Sequence, residues 1–245
     1  MQNFIFLLGG HDLEMLEIRK ILDEKKLKYF DNNLLWGAKL SSYASHFDDK
    51  PTFVGIELIA DCPTPKHYKE IDHHNQKSEL PSSIEQIADL LGIELNREQL
   101  LVAANDKGYI PAMEEAGATV EEISKIRKDD KKAQGVTAED ESLAALSIKN
   151  QKYNIGNVTV IESLTPKFSA ITDRLYPFKE LLIRHKTAFT YYGEKAKGFA
   201  EKYKLLIESS KAYTGGKNNA YFGIDANSFS NEETDIIYAN QGLKN

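Results

Sequence analysis

Carboxylate and imidazole side chains gather in the stretch from Glu70 to Asn75, which contains Asp72-His73-His74. Upstream, Asp61 follows the apolar run Thr52–Ala60, which has the character of a buried parallel strand. Ligands of open α/β sheets bind at the carboxyl ends of such strands, where both acidic groups are predicted to lie. Carboxylates with neutral imidazoles suit Mn²⁺, Zn²⁺ or Fe²⁺, and a pair of such ions would polarise a phosphoryl group and activate water.

A second polar group, His11, Asp12 and Glu14, follows the first predicted strand across a pair of glycines. Asp12 has two interpretations. It is either the N-cap of the helix that starts here, which is the commonest role for Asp at such a place, or a metal ligand. The group holds more potential ligand atoms than a cap requires, which favours ligation for Asp12 and, less strongly, for Glu14.

Asp106 comes after an apolar helix that opens at Asn96. The small apolar residues before Asp106 predict poor hydration, and a buried carboxylate needs a cation, a metal or several donors. The alternative is an exposed turn residue ahead of Gly108, and this segment alone leaves both interpretations open.

The elements that must position these residues alternate between strand and helix. This pattern predicts an α/β fold, with a parallel-sheet N-terminal domain over residues 1–150 and a second, smaller mixed α/β domain over residues 151–245. The first domain is predicted to have strands at 4–8, 28–35, 52–60 and 69–72 and helices at 12–22, 82–91 and 96–104, followed by two polar helices up to residue 150. The second is predicted to have strands at 158–162, 181–186 and 187–192 and helices at 167–176 and 194–207.

The second domain offers two groups for binding an anionic substrate. Arg184 and His185 are a basic cluster that would bind a phosphate or carboxylate, unless they are only a solvated strand end. Gly215, Gly216 and Lys217 could bring backbone N–H groups and an ammonium against an anion, and a surface turn is the equal alternative.

Composition limits the function classes. The 245 residues carry a net charge of −6, whereas proteins that track long nucleic acids need a basic surface. No apolar run approaches the ~20 residues that span a bilayer, and the single cysteine, Cys62, fits a reducing cytoplasm. The predicted partner is a small phosphorylated substrate or short oligonucleotide. We expect neither a membrane nor a long duplex as a partner, and a homodimer is left open.

The ordered series of Asp12 and Glu14, Asp61, Asp72-His73-His74 and Asp106 resembles the four N-terminal motifs of the DHH phosphoesterase superfamily. That family includes RecJ exonucleases, oligoribonuclease/pAp phosphatases and cyclic-dinucleotide phosphodiesterases. The C-terminal strands, helices and glycine pair resemble its substrate-binding DHHA1 domain. The resemblance covers most of the chain and implies a metal-dependent phosphoesterase that acts on a small nucleotide or short oligonucleotide, with Mn²⁺, Mg²⁺ or another divalent ion, two ions in all.

The resemblance also implies a role for each residue. It gives one ion to Glu14, Asp61, His73 and Asp106, and the other to Asp12 and the bridging Asp61, with His11 as a third ligand. His74 and Asp72 are the catalytic residues that the resemblance implies: His74 would lie behind the metal ligands or contact the scissile phosphate, and Asp72 would orient a histidine.

The chain departs from the family pattern at both ends. His11 directly precedes Asp12, the second acid of the first motif is Glu14, and Lys217 stands where the family has a histidine. These departures leave two further hypotheses open: a DHH-like metal- and nucleotide-binding regulatory protein without turnover, and an unrelated metal hydrolase.

Overall fold

The computed structural model describes residues 3–35, 37–209, 211–216 and 220–224. The chain divides into two compact units, residues 1–134 and 135–245. The elements of the first unit are β1 (Phe4–Leu8), α1 (Leu13–Glu24), β2 (Lys28–Phe30), β3 (Thr52–Ile56), β4 (Tyr68–Ile71), α2 (Ser83–Leu91), α3 (Arg97–Glu115) and α4 (Val120–Ala133). Those of the second are α5 (Ala138–Asn150), β5 (Lys152–Ile155), β6 (Val158–Glu162), α6 (Ser169–Leu175), β7 (Leu181–His185), β8 (Ala188–Tyr192), α7 (Lys195–Lys202), α8 (Lys204–Glu208), β9 (Ala212–Gly215) and β10 (Tyr221–Ile224).

Within the described part of the first unit, four strands form a parallel sheet in the order β2-β1-β3-β4. Alternate residues of β1 face opposite sides, so Phe6 and Leu8 pack with α1 and α2, while Ile5 and Leu7 pack with Tyr43. A sheet covered on both faces requires strands that are apolar throughout, which is why β1 and β3 are continuous hydrophobic runs. The carboxyl ends of β1, β3 and β4 therefore meet at one edge of this sheet.

The second unit contains a six-stranded sheet among its described residues, in the order β5-β6-β7-β8-β10-β9. The β6–β7 pair is parallel and the other pairs are antiparallel. Val160 and Leu182 face α7 on one side, and Ile161 and Ile183 face α5 and α6 on the other. The predicted α/β class, with one parallel and one mixed sheet, is confirmed.

Several element ends differ from the sequence predictions. β3 stops at Ile56 rather than at Ala60, and β2 is three residues long, ending at Phe30. Along the chain, the first unit ends at Gln134, whereas the sequence predicted a boundary at Asn150. Helix α5 belongs to the second unit, because its residue Ala144 packs in the core of that unit. No helix among the described residues is long and apolar enough to cross a membrane.

Candidate metal centre

Gly9 allows the ends of β1 and β3 to approach closely. A Cβ at this position would lie 2.3 Å from the carbonyl oxygen of Ile56 and 2.5 Å from that of Glu57, which is closer than real atoms come. The chain then turns into α1, and Asp12 caps that helix by accepting a 2.9 Å hydrogen bond from the backbone N–H of Met15. The capping role of Asp12 is therefore confirmed, and its role as a metal ligand stays a prediction.

Asp12 also belongs to a buried acidic environment. Burial raises the pKa of its carboxyl well above the usual range, and the negative charges of Glu57 and Asp106 raise it further. Because carboxylates repel one another more strongly in a poorly hydrated site, this group of acids needs positive charge nearby. His11, in contrast, is only half-buried and lies outside the group of potential ligands described below.

Glu14 reaches from α1 to the start of α2. The residue is 2% exposed, and Oε1 accepts a 3.0 Å hydrogen bond from the backbone N–H of Ile84. The free N–H groups of a helix N-terminus favour a carboxylate there. The other oxygen, Oε2, is buried without a hydrogen-bond partner among the described residues and lies 3.6 Å from Nε2 of His73.

Glu57 is the first residue after β3 and a member of the site that sequence analysis missed. Its backbone φ is +53°, a left-handed conformation that a residue other than glycine adopts at an energetic cost. Its Oε1 accepts a 2.8 Å hydrogen bond from Oγ of Ser83 and lies 3.7 Å from Nε2 of His73. The acid at the tip of this strand is therefore Glu57.

Asp61, which was predicted to fill that position, lies elsewhere. It is exposed, and its carboxylate accepts hydrogen bonds from the backbone N–H and the hydroxyl of Ser41 at 2.9 and 2.7 Å. These bonds lower the pKa of Asp61. The structure does not bring Asp61 to the other acids because β3 ends five residues before it, whereas the apolar residues up to Ala60 had extended the predicted strand.

His73 lies at the centre of the cluster and is 6% exposed. Its Nε2 is 2.6 Å from Oδ2 of Asp106, yet neither atom has a hydrogen-bond partner of acceptable geometry among the described residues. Although burial opposes protonation, Asp106 and Glu14 raise the pKa of His73 to about 11. Buried polar atoms that converge without hydrogen bonding to one another are typical of ligands around a shared cation.

His74 is oriented by Asp72. Oδ1 of Asp72 lies 3.0 Å from both the backbone nitrogen and Nδ1 of His74, and Lys77 contacts the other carboxylate oxygen at 3.4 Å. Burial opposes ionisation of Asp72, but the bonds to His74 outweigh it and hold its pKa at about 2. Because Nδ1 is engaged, Nε2 of His74 is the nitrogen left for an ion.

Asp106 lies inside α3, not in the turn after it. The helix is interrupted just beyond this residue, at Gly108 and at Tyr109, whose φ of 61° and ψ of −150° fall in a region that is nearly exclusive to glycine. Asp106 is 17% exposed, and potential ligand atoms of Glu57, His73, His74 and Asp106 all lie within 4.8 Å of one another. This group could hold a metal ion.

The anion-binding residues predicted in the second unit have partners of their own. Nε of Arg184 lies 3.4 Å from a carboxylate oxygen of Glu162, and Nδ1 of His185 lies 2.9 Å from the carbonyl oxygen of Ser163.

The predicted glycines of the second unit lie at the end of β9. Gly215 packs against the Tyr221 ring, where a Cβ would lie 2.4 Å from the hydroxyl oxygen. Gly216 has a φ of +75°, and Lys217 lies outside the described residues. Substrate binding by Arg184, His185 and this segment stays a prediction.

Comparison with known proteins finds similarity of structure alone, since no family model and no curated protein matches the sequence. One similar solved structure is the pGpG-specific phosphodiesterase PggH from Vibrio cholerae, at 11% identity and a TM-score of 0.48, covering 98% of each chain. A second is a DHH domain described as a member of the S1p family of ribosomal proteins, at 12% identity and a TM-score of 0.49, covering 99% of this chain and 87% of that one.

A third is the exonuclease RecJ bound to manganese, at 9% identity and a TM-score of 0.42, covering 96% of this chain and 88% of that one. The solved structures to which this chain is similar thus include proteins with DHH domains.

Proposed function

We propose that this chain is a divalent-metal-dependent phosphoesterase of the DHH type, which hydrolyses a phosphoester or phosphoanhydride of a small nucleotide or short oligonucleotide. The observation that carries the proposal is the convergence of Glu14, His73 and Asp106, each with a buried side-chain atom that has no hydrogen-bond partner among the described residues. A cation placed among these atoms would satisfy all of them at once.

The donor set fits such an ion. Glu57, His73, His74 and Asp106 would hold it, with Glu14 beside them. Carboxylate and imidazole donors suit Mn²⁺, Zn²⁺ and Fe²⁺ better than Mg²⁺ or Ca²⁺, which favour oxygen ligands alone. When bound, the ion would polarise a phosphoryl oxygen and lower the pKa of a coordinated water. If two ions are used, Asp12 and Glu14 are the remaining acids that the second would draw on.

Neighbouring residues of the chain hold the potential metal ligands in position. Asp72 fixes the tautomer and ring orientation of His74 through Nδ1, as outer carboxylates do for histidine ligands in metal sites. The start of α2 holds Glu14 through the N–H of Ile84 and Glu57 through the hydroxyl of Ser83. These contacts keep both long side chains in place before any substrate arrives.

The decisive experiment compares two acids of the same loop. We would measure Mn²⁺-dependent hydrolysis of bis-p-nitrophenyl phosphate, pAp, short oligonucleotides, cyclic dinucleotides and pyrophosphate by the wild type and by E57Q and D61N. We expect turnover of at least one compound by the wild type. E57Q should lower kcat/KM at least about 100-fold, more than the loss of an outer partner, and D61N should stay within about threefold, as for an exposed residue away from the site.

Two outcomes would contradict this assignment. If kcat/KM falls equally in E57Q and D61N, Asp61 would have to be counted among the metal ligands. Tight Mn²⁺ binding by the wild type with no hydrolysis of any compound would instead favour the metal- and nucleotide-binding regulatory protein.

A further inference from the structure

A buried ion pair on α4 lies behind the metal centre. Nη1 of Arg127 is 2.7 Å from Oδ2 of Asp130, and the two residues are 8% and 4% exposed. Replacing such a pair with well-packed apolar residues is often neutral or stabilising, so stability alone is a weak explanation for it. Its contacts indicate another role.

On the α3 side, the pair fixes the segment that carries Asp106. Nη1 of Arg127 donates a 2.9 Å hydrogen bond to Oδ1 of Asn105, and its guanidinium carbon lies 4.6 Å from the centre of the Tyr109 ring. Asn105 directly precedes Asp106, and Tyr109 is the strained residue of the helix interruption. The guanidinium therefore contacts α3 on both sides of Asp106, the potential metal ligand.

On its other side, α4 packs against α1, the helix whose start carries the acids of the first motif. Asp130 accepts a 3.0 Å hydrogen bond from the side chain of Gln134, which follows α4. The ion pair thus lies on a helix that contacts both α1 and α3.

We propose that Arg127 and Asp130 are positioning residues that hold the middle of α3 in the register that brings Asp106 to His73. Neither residue of the pair is a ligand in this scheme. They act through Asn105, the immediate chain neighbour of Asp106. The inference rests on the proposed metal centre, but part of its test does not.

The test compares two arginines that both join α3 to α4. R127K keeps a positive charge near Asp130 but loses the planar group that binds Asn105 and stacks on Tyr109. R97K is the control, because Arg97 pairs with Glu122 at 3.1 Å and donates to the carbonyl oxygens of Ala116 and Gly117, away from the ligands. D130N is a second, nearly isosteric variant if R127K does not fold.

Two measurements are made on each purified full-length variant. The first is Mn²⁺ affinity by calorimetry, together with the visible spectrum of the Co²⁺-loaded protein. R127K and D130N should weaken Mn²⁺ binding at least about tenfold, in the range of outer-shell substitutions, and alter the Co²⁺ spectrum. R97K should change neither, even if its unfolding temperature falls as much as that of R127K.

The second measurement is amide hydrogen exchange in the metal-free proteins, which does not depend on the proposed function. Exchange should accelerate at residues 105–109 in R127K and D130N, and not in R97K. Exchange in R127K and D130N that matches R97K at this segment would overturn the inference. If the wild type does not bind Mn²⁺ but exchange is still faster in R127K and D130N than in R97K, the metal centre is refuted. The role of the ion pair in positioning α3 would then remain supported.

Discussion

Nε2 of His73 and Oδ2 of Asp106 lie 2.6 Å apart, although neither makes a well-aligned hydrogen bond. The two side chains come from elements far apart in sequence, the end of β4 and the middle of α3, and both are largely buried. Two buried acceptor atoms at this distance repel one another unless a proton on Nε2 or a cation in contact with both atoms offsets the repulsion. In the proposed metal centre the divalent cation has this role.

Replacing Asp72 with asparagine should weaken metal binding without unfolding the protein. The side-chain amide in D72N could donate as well as accept, so the tautomer of His74 would no longer be fixed by a carboxylate. We expect the Mn²⁺ dissociation constant to rise about 10–100-fold by calorimetry. E70Q is the matched control, because Glu70 contacts Lys77 at 2.6 Å but not His74. Equal effects of the two changes would show that Asp72 acts only through the local charge.

Glu14 should contribute to folding through its contact with α2. E14Q keeps an oxygen that accepts from the N–H of Ile84, whereas E14A leaves this buried donor unpaired. In urea unfolding of the metal-free protein, E14A should be less stable than E14Q by about 1–3 kcal/mol. Equal unfolding midpoints would mean that water or another group replaces the lost acceptor.

Gly9 should tolerate no side chain. In G9A the new methyl group would meet the carbonyl oxygens of Ile56 and Glu57, which belong to the backbone and cannot move aside independently. We expect a loss of about 1–3 kcal/mol of unfolding free energy, as for overpacked cores. G10A is the control, since the nearest heavy atom to its new methyl group would be Oε2 of Glu57, 3.9 Å away. A G9A protein as stable as G10A would contradict the close approach of β1 and β3.

The cap of α5 should make the second unit sensitive to acid. Asp140 accepts from Thr137 and, at 2.6 Å, from Oγ1 of Thr165, and hydrogen bonds from these two residues lower its pKa. A carboxylate with a lowered folded-state pKa stabilises above its unfolded pKa of about 4 and loses this effect as the pH falls through the folded value. D140N should therefore be less stable than the wild type at pH 7, by less than about 1 kcal/mol for this partly exposed group.

The two proteins should converge in stability as the pH is lowered toward 3. Urea unfolding at pH 7, 5 and 3 measures the difference. If the difference in unfolding free energy between the wild type and D140N is the same at all three pH values, the effect of D140N comes from geometry and not from charge.

Periodicity predicted most elements and part of the site. His73, His74 and Asp106 could be placed because each follows an apolar segment whose direction the sequence indicates. Glu57 could not, because Leu58 continues the hydrophobic run of β3 although it packs in the core outside the strand. Apolar character reports burial and does not distinguish a strand from the buried chain that follows it. The chain leaves the strand at Glu57, whose φ is positive, a conformation that the sequence does not reveal.

Long-range contacts explain the other differences. Asp106 was placed beyond a helix end, because the apolar residues stop at Ala104 and Gly108 follows shortly after. In the structure, α3 continues to Glu115 across an interruption at Gly108 and Tyr109. The ring of Tyr109 packs under Arg127, a residue of a different helix that no local pattern connects to it.

The two anchoring contacts of α2 affect the thermodynamics of ion capture. A glutamate side chain that becomes ordered gives up as much as about 1.5–2 kcal/mol of rotational entropy. Ser83 and Ile84 restrict Glu57 and Glu14 as the protein folds, so this ordering is complete before an ion arrives. A glutamate has one more rotatable bond than an aspartate, and here that added freedom is removed during folding, not during binding. The capture of a cation at this site should therefore have a smaller unfavourable conformational entropy than it would with two mobile glutamates.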